Sequence, residues 1–256
     1  MLVRSWNLFH GNTSPPQRDA FLEEMVALAT EDDPDVLCVQ EVPGWALGLF
    51  TVGDIAARPR LLSRELGRRI TDLNHGLLRS AFTGQGNAMR ISSRYVLLAH
   101  ERLRLNPPRF RDRESKRLGL DRRTRLAWAR ERRIVQAVRL RAPDGRTYLV
   151  ANMHCTSWDD RRLAAAELRR AAWFTTSTAQ PEDVVVLAGD LNQEPDSPVL
   201  HELTSAEWGF SAAGAGIDHI LVRGADVSEL RCWPDDRRRR GERLMSDHAP
   251  VEVTIS

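Results

Sequence analysis

Apolar runs and apolar–polar alternation along the chain predict a series of strands. A continuous apolar run is typical of a buried strand, and strict alternation is typical of a half-buried one. The predicted strands cover residues 2–8, 35–40, 87–91, 95–99, 134–141, 148–154, 184–188, 217–222 and 251–255. Helix-like segments lie between them, with no linker and no internal repeat, so the pattern predicts one α/β domain over residues 1–256.

Three segments carry apolar residues at helical spacing. The first follows Ser14-Pro15-Pro16-Gln17, where a serine cap and prolines in the first turn predict a helix start, and it runs to about residue 29. The second covers 61–77 and the third 159–175. Asp33-Pro34 is expected to end the first helix, because proline does not fit a helix interior.

Polar residues stand at the C-terminal ends of several predicted strands. Asn7, Glu41, His154 and Asp190 each follow an apolar segment. A single carboxylate in such a place is usually a helix cap or a turn residue. Four polar strand ends instead predict a shared site, because rigid strands can hold catalytic groups while loops vary around them.

Glu41 follows the buried run Val36–Val39 and therefore needs a partner. From this residue alone, a structural salt bridge and a hard cation such as Mg²⁺ are equally acceptable partners. The cation becomes the better interpretation when Glu41 is taken together with the other polar motifs.

Two further motifs carry candidate chemistry. In Gly189-Asp190-Leu191-Asn192 the aspartate can orient or deprotonate water and the asparagine can donate to a phosphoryl oxygen, although an Asx turn that closes the strand is the structural alternative. In Asp247-His248 the carboxylate can bind a metal and the imidazole a phosphate. Asp218 is predicted to hydrogen-bond His248, whereas His219 should face the opposite side of its strand.

Charge changes the picture only locally. The net charge is +2, and all but one of the 37 basic residues are arginine, which codon usage alone can explain. Residues 101–133, however, hold 13 basic and five acidic residues, a net charge of +8. One interpretation is that this segment contacts a polyanion such as nucleic acid, a phosphoinositide or a membrane surface, in which case Trp128 would be available to stack on a base. The alternative is a solvated charged helix and loop, and Asn106-Pro107-Pro108 predicts that the segment begins as an irregular loop.

Cysteine content and hydropathy indicate the cellular compartment of the protein. Three widely spaced cysteines do not suggest a disulfide framework. No apolar run approaches the roughly 20 residues that span a bilayer, and residues 1–7 do not resemble a secretion signal, so a cytoplasmic location is expected. The sequence gives no indication of oligomeric state.

In their order along the chain, these motifs resemble the endonuclease/exonuclease/phosphatase superfamily. That superfamily includes pancreatic deoxyribonuclease, apurinic endonucleases, neutral sphingomyelinases and inositol polyphosphate 5-phosphatases. The matching pieces are Trp6-Asn7, Val39-Gln40-Glu41, Gly86-Asn87-Ala88, Asn152-Met153-His154, Gly189-Asp190-Leu191-Asn192, Ile217-Asp218-His219 and Ser246-Asp247-His248. The resemblance implies a four-layer α/β sandwich, with two mixed β-sheets packed face to face and helices outside.

The resemblance also implies roles for these residues. Glu41 would be the principal Mg²⁺ ligand, helped by Asn7 and Asp247, with Mn²⁺ as a substitute ion. The implied catalytic residues are Asp190 for the attacking water, Asn192 for the phosphoryl group, His248 for the phosphate, Asp218 as the partner of His248, and His154 for the leaving group. Asn87 and Asn152 would bind substrate.

One position departs from the apurinic endonucleases. They carry an aspartate where this chain has Phe9, which puts a second metal site in doubt. His10 follows, and it is interpreted as a loop histidine without a role, with substrate contact as the alternative.

Three functions are compatible with the sequence. The first is a metal-dependent phosphodiesterase or nuclease that uses in-line attack by water, favoured by the basic segment. The second is a hydrolase of a small-molecule or lipid phosphoester. The third is a phosphate-binding relative without catalysis, which the intact set of polar motifs disfavours.

Overall fold

The computed structural model describes residues 1–15, 21–55 and 85–256. The helix predicted over 61–77 lies outside the described residues. The strands are β1 (Leu2–Asn7), β2 (Thr13–Ser14), β3 (Val36–Pro43), β4 (Val52–Ile55), β5 (Gln85–Ile91), β6 (Val96–Arg104), β7 (Ile134–Arg141), β8 (Thr147–His154), β9 (Val184–Asp190), β10 (Ser211–Ala215), β11 (Asp218–Arg223), β12 (Arg231–Cys232), β13 (Arg239–Arg240), β14 (Arg243–Met245) and β15 (Val251–Thr254). The α-helices are α1 (Leu22–Ala29), α2 (Pro108–Arg117), α3 (Arg122–Arg130), α4 (Arg161–Thr178) and α5 (Pro198–Leu203).

The described strands form two large mixed sheets and one small one. The first large sheet has the order β12-β15-β1-β3-β5-β4, and the second has the order β10-β11-β9-β8-β7-β6. The small sheet is β13-β14-β2. In each large sheet the central pair is parallel, β1 with β3 and β8 with β9, while the flanking pairs are antiparallel.

The two large sheets pack face to face around an apolar core. Val3 and Cys38 from the first sheet meet Val150 and Val186 from the second in one fully buried cluster. Burying an aliphatic side chain of this size contributes roughly 1.5–3 kcal/mol before the entropic cost of ordering. The sandwich therefore holds both sheets in a fixed relation to each other.

Helices cover the outer faces of both sheets. On the second sheet, Leu168 and Ala172 of α4 pack against Leu149 and Leu187. On the first sheet, Met25 of α1 joins a separate cluster with strand and loop residues. The predicted four-layer α/β sandwich is confirmed. No helix of the described ranges is both long enough and apolar enough to cross a bilayer.

Two local predictions differ from the structure. Ser14 does not cap a helix, because it lies in β2 and pairs with Leu244, and α1 begins only at Leu22. The basic segment begins as the end of β6, and its irregular stretch is limited to residues 105–107. Pro108 occupies the first turn of α2, where its missing N–H costs nothing, and Asp121 caps α3 by accepting from Thr124 N at 2.9 Å.

The interior of the basic segment explains why it is ordered. Glu167 of α4 is fully buried and accepts from Trp128 Nε1 at 2.6 Å and from Asn106 Nδ2 at 2.7 Å. The same carboxylate accepts from the backbone N–H of Thr156 at 2.7 Å. This network ties both ends of the segment to α4 and to the loop after β8. The interpretation that Trp128 is available to stack on a base is wrong, because the indole is completely buried.

Candidate active site

The parallel registers bring the polar strand ends together. His154, the last residue of β8, lies opposite Asp190, the last residue of β9. Antiparallel pairing places Asp218 opposite Asp190 on the other side. Gly189 makes this close approach possible, because its φ is +143° and a Cβ there would lie 1.9 Å from the carbonyl oxygen of Met153.

Glu41 reaches the site by an irregularity within a strand. The prediction placed it at the end of a strand, but β3 continues to Pro43, and its pairing with β5 shifts register between Val39 and Val42. Glu41 adopts φ +55° inside this bulge. A bulge of this kind re-aims a side chain that regular pleating would direct elsewhere.

Asp190 is the centre of the polar cluster. Its Oδ2 accepts a hydrogen bond from Asn7 Nδ2 at 3.0 Å. The same oxygen lies 3.4 Å from His154 Nε2 and 3.8 Å from His248 Nε2. Burial, reinforced by the nearby charge of Asp218, raises the pKa of Asp190 to about 7. The site therefore holds a carboxyl group that can exchange a proton near neutral pH.

His248 is held as a cation by its neighbours. Its Nδ1 lies 2.6 Å from Asp218 Oδ2, which is the contact that the sequence predicted. Burial on its own would lower the pKa of His248, but the Asp218 hydrogen bond and the charges of Asp218, Asp190 and Asp247 raise it to about 10. Asp218 accepts the hydrogen bond from Nδ1–H of His248. The other N–H of the protonated ring, Nε2–H, therefore faces the cluster.

The loop that carries His248 is anchored on β1. Ser246 Oγ donates to the carbonyl oxygen of Asn7 at 2.6 Å. Trp6 Nε1 donates to the carbonyl oxygen of His248 at 2.9 Å. Asp247 is exposed between these two anchored residues. These contacts explain how residues 240 positions apart in sequence come to share one site.

His154 is fixed in one tautomer by Arg133. The guanidinium can only donate, and its NH1 lies 3.0 Å from His154 Nδ1, so Nδ1 accepts and the ring proton resides on Nε2. Burial, together with the positive charge of Arg133, lowers the pKa of His154 well below its ordinary value. His154 is therefore a neutral N–H donor facing Asp190. The sequence did not single out Arg133, which is one of 12 arginines in segment 101–133.

Glu41 is buried and charged. Its Oε2 lies 3.0 Å from His10 Nε2, and its Oε1 lies 4.0 Å from His154 Nδ1. Burial would raise the pKa of Glu41, but the contact with His10 and the positive charge of Arg133 outweigh burial and hold the pKa well below the ordinary range. A carboxylate ionised in this setting is suited to hold a divalent cation.

Asn192 is positioned beside Asp190 but is committed to protein partners. Its backbone N–H donates to Asp190 Oδ1 at 3.1 Å, and its Nδ2 donates to the carbonyl oxygen of Cys155 at 3.1 Å. Arg161 NH1, at the start of α4, donates to Asn192 Oδ1 at 3.0 Å. Sequence reasoning missed Arg161, which brings a cation to this edge of the cluster.

The Cys155 thiol is fully buried, and burial raises its pKa, which disfavours a nucleophilic thiolate.

The Asn152 side chain joins the two large sheets. It is fully buried between the sheets, where Nδ2 donates to the carbonyl oxygens of Val39 and Ala88, and Oδ1 accepts from Gln40 Nε2 at 2.8 Å. All of its hydrogen-bonding groups are used in joining β8 to the opposite sheet. The contacts of Asn152 are structural, and its substrate-binding role stays a prediction that these contacts disfavour.

Asn87 has a similar position. It is 5% exposed, and its Nδ2 donates to the carbonyl oxygen of Ile134 at 3.1 Å, from β5 to β7. One N–H of the Asn87 amide is therefore used in a contact between the sheets, and its substrate-binding role stays a prediction. His219 is excluded from the cluster as predicted, because its Nε2 contacts the carbonyl oxygen of Gln193 at 2.7 Å.

The residues present fit a hard divalent cation. Glu41 Oε2 is buried without a hydrogen bond to any described residue, and His10 Nε2, 3.0 Å away, is its ion-pair partner, so this carboxylate oxygen keeps acceptor capacity for a cation. Asn7 Oδ1 accepts from Phe9 N at 3.0 Å and keeps a second lone pair. Asp190, Asp218 and His248 form a second group of potential metal ligands, because one carboxylate oxygen or ring nitrogen of each lies within 4.8 Å of the others. Because His248 is cationic there, the Glu41 end is the better cation site.

Two mixed sheets packed face to face, with carboxylates and imidazoles gathered at one end, define the class of α/β-sandwich phosphoester hydrolases. The chain belongs to the Endonuclease/Exonuclease/phosphatase family, whose model matches residues 5–248. The resemblance inferred from the sequence motifs is thereby confirmed. No protein of curated function matches the chain significantly.

Solved structures with this fold align over the whole chain. TDP2 from D. rerio, complexed with a single-strand DNA product, is 12% identical, with a TM-score of 0.66 over 100% of this chain and 98% of that one. The human Nocturnin catalytic domain with a bound sulfate is 17% identical, with a TM-score of 0.62 over 100% and 94%. A Bacteroides thetaiotaomicron mannosyl-6-phosphatase is 15% identical, with a TM-score of 0.64 over 100% and 99%. At these identities the likeness shows the fold alone.

Proposed function

We propose that the chain is a divalent-metal-dependent phosphodiesterase that acts on nucleic acid through in-line attack by water. One observation carries the proposal: the buried Asp190 carboxylate is surrounded by an amide, a neutral imidazole and a cationic imidazole, with the ionised Glu41 on the far side of His154. This arrangement places a base, two hydrogen-bond donors and a cation ligand around one point.

The cation belongs at Glu41, with Asn7 and Asp247 as further ligands. A bound Mg²⁺ or Mn²⁺ would supply Lewis-acid stabilisation of the charged phosphoryl oxygens. The protein contributes an ionised, buried carboxylate whose position is set by the bulge in β3.

Asp190 positions the attacking water and accepts its proton as the new oxygen–phosphorus bond forms. The hydrogen bonds from Asn7 Nδ2 and from the backbone N–H of Asn192 fix its two oxygens at 3.0 and 3.1 Å. Positioning of this kind is a large part of the catalysis of phosphoryl transfer. We propose Asn192 as a residue that orients Asp190, with Arg161 beside it as a further phosphate contact.

The two histidines stabilise different oxygens. His248, held as a cation by Asp218, donates from Nε2 to a non-bridging phosphoryl oxygen. His154, held neutral by burial and Arg133, donates from Nε2 to the leaving oxygen as the bond to phosphorus breaks. Solvent supplies the proton that the leaving group finally takes, because a neutral imidazole is a poor acid.

The basic segment 101–133 favours nucleic acid as the substrate. Trp128 is buried, and two arginines of α2, Arg113 and Arg117, face α4, where both also contact Glu114. A groove of about 480 Å³ lies between α2 and α4, and its lining includes Phe110, Arg113, Arg117, Arg169, Arg170 and Trp173. The Trp173 side chain is 56% exposed, and exposed aromatics beside arginines suit bases and phosphates.

The groove lies on a path from the site. Helix α4 begins at Arg161, which contacts Asn192, and Trp173 lies twelve residues further along, about 18 Å at 1.5 Å per residue. We propose that a polynucleotide cleaved at Asp190 extends along this helix to the groove. We further propose that residues 1–256 act as one catalytic domain, whereas the cytoplasmic location stays a prediction.

The test is a substrate panel with Mg²⁺ or Mn²⁺. Purified protein is incubated with plasmid DNA, a single-stranded oligonucleotide, bis-p-nitrophenyl phosphate and p-nitrophenyl phosphate. Asp190→Asn should abolish turnover, while Asp196→Asn, an exposed aspartate of the same loop, should not change it. Turnover of bis-p-nitrophenyl phosphate without DNA cleavage would replace nucleic acid with a small or lipid phosphoester. No turnover with either metal would refute the proposal that the chain is a metal-dependent phosphodiesterase.

A further inference from the structure

His10 is a buried imidazole with no role in the scheme above. It lies in the short 3-10 turn Phe9–Gly11 that directly follows β1, and only 4% of it is exposed. The backbone here is unusual, because Phe9, His10 and Gly11 all have positive φ, at 45°, 57° and 83°. Non-glycine residues rarely adopt this conformation without a compensating requirement.

The turn is fixed by packing. A Cβ at Gly11 would lie 2.8 Å from Leu22 Cβ, so only glycine allows the turn to rest on the start of α1. The loop is thereby pressed towards the first sheet, and the imidazole faces Glu41. His10 is therefore held in place by the fold rather than by hydrogen bonds of its own ring.

Neither ring nitrogen of His10 has a hydrogen-bond partner among residues 1–15, 21–55 and 85–256. Nε2 lies only 3.0 Å from Glu41 Oε2, within ion-pair distance, yet the two atoms are not aligned as a hydrogen bond, and Oε2 makes no hydrogen bond to any other described residue. Buried polar atoms are nearly always satisfied in folded proteins, and leaving them unsatisfied costs free energy. A ligand that is not part of the protein is therefore expected beside these two atoms, in contact with both.

The separation of the two atoms fits a shared ion. Two ligands at right angles on an octahedral ion, each about 2.1 Å away, are separated by about 3.0 Å. In that arrangement both lone pairs point at the ion and not at each other, which agrees with the short but misaligned contact. An ordinary His–Glu ion pair would instead direct the N–H at the carboxylate oxygen.

We propose that His10 Nε2 is a direct ligand of the divalent ion bound by Glu41 and gives this site a preference for Mn²⁺ over Mg²⁺. Imidazole nitrogen suits first-row transition ions, whereas Mg²⁺ favours oxygen ligands. His154, the other imidazole near Glu41, is not available through Nδ1, because Arg133 donates to that nitrogen. The inference rests on the proposed function only in placing an ion at Glu41.

The direct test is the electron spin echo envelope modulation spectrum of Mn²⁺ bound to the full-length protein without substrate. The wild-type protein should show coupling from one directly bound imidazole nitrogen. The coupling should vanish in His10→Gln and persist in His154→Gln. It should also persist in His201→Gln, a matched change at an exposed histidine of α5.

Calorimetric titration gives a second readout. His10→Gln should weaken Mn²⁺ binding by roughly 10- to 100-fold, the range typical for loss of a group that supports a metal site. Mg²⁺ binding should change much less, so the ratio of the two affinities should fall. Circular dichroism of each variant establishes that the fold is intact before the affinities are compared.

The possible failures are distinct. Tight Mn²⁺ binding without imidazole coupling in the wild type would overturn His10 as a ligand and leave the proposed hydrolase in place. Equal loss of Mn²⁺ and Mg²⁺ affinity in His10→Gln would overturn the metal preference. Absence of any Mn²⁺ binding would overturn both this inference and the metal dependence proposed above.

Discussion

Replacing Asp218 with asparagine should change the pH dependence of the enzyme more than its activity at low pH. Asp218 accepts from His248 at 2.6 Å, and with its charge it is the main reason why the pKa of His248 is raised to about 10. The neutral amide of Asp218→Asn keeps the shape of the side chain but removes the charge. The pKa of His248 should then fall towards the ordinary value of about 6.5.

The expected magnitude follows from the protonated fraction of His248. With a pKa of about 10 the imidazole is about 97% protonated at pH 8.5, whereas with a pKa near 6.5 it is about 1% protonated. At pH 6 the two proteins differ little, because the variant would still be about 75% protonated. The activity ratio of Asp218→Asn to wild type should therefore fall by up to about 70-fold between pH 6 and pH 8.5.

The assay is the rate of bis-p-nitrophenyl phosphate hydrolysis from pH 5.5 to 9.5, together with NMR titration of the His248 ring. Asp226→Asn, at an exposed aspartate, is the matched control and should keep the wild-type profile. If Asp218→Asn lowers the rate equally at pH 6 and pH 8.5, or if the ring titrates near pH 10 in both proteins, the cationic role of His248 is refuted.

Four further changes test other parts of the account. Glu41→Gln removes the charge that holds the ion, so it should raise the Mg²⁺ or Mn²⁺ concentration needed for half-maximal rate. Titration of turnover with metal should show a rate loss of about 10²–10³ at low metal concentration. Arg133→Met should free Nδ1 of His154 and raise the pKa of the His154 ring, which NMR titration would measure. The double change Arg113→Glu and Arg117→Glu should weaken oligonucleotide binding and flatten its salt dependence, with turnover of bis-p-nitrophenyl phosphate unchanged. Glu167→Ala should lower the free energy of unfolding by about 3 kcal/mol in a urea titration, because it leaves buried donors without an acceptor.

Each of these has a contradicting result. An unchanged metal requirement would remove Glu41 from the ion site, and an unaltered titration of His154 would show that Arg133 does not control its tautomer. Equal loss of small-substrate turnover in the groove variant would mean that the groove contributes to the fold and not to substrate binding. A wild-type unfolding midpoint for Glu167→Ala would show that the buried network does not stabilise the segment.

The strands that carry the site were predictable because their signals are local. Each of Asn7, His154 and Asp190 follows a run of apolar residues, and the run itself sets both the strand and its end. Parallel pairing then gathers such ends at one edge of a sheet without further information. The contact between Asp218 and His248 was also predictable from the residue types, and the resemblance to the family supports the same pairing.

Other features depend on contacts that no local pattern records. The bulge that aims Glu41 arises from a shift in pairing with β5, which is distant in sequence. Arg133 is chemically the same as the arginines around it until burial against His154 distinguishes it. Asn152 follows the family motif, but its partners Val39 and Ala88 lie in the other sheet, so its structural role emerges only when the sheets pack.

Helix α2 was missed for a different reason. Its sequence is dominated by charge, with Phe110 as its one large apolar residue, so it lacks the apolar periodicity that predicts a helix. Its stability comes from packing on α4 and from the buried Glu167 network. Tertiary contacts, and not the spacing of apolar residues in the sequence, determine whether such a segment forms a helix.

The central claim is that Glu41 holds a divalent ion beside the phosphate that Asp190 and His248 act upon. Anomalous diffraction from crystals of the Asp190→Asn variant grown with Mn²⁺ and a phosphodiester tests it directly. The account predicts one strong peak about 2.1 Å from a Glu41 carboxylate oxygen, with a phosphoryl oxygen as another ligand. A peak held instead by Asp218 and His248, or no peak near Glu41, would contradict it.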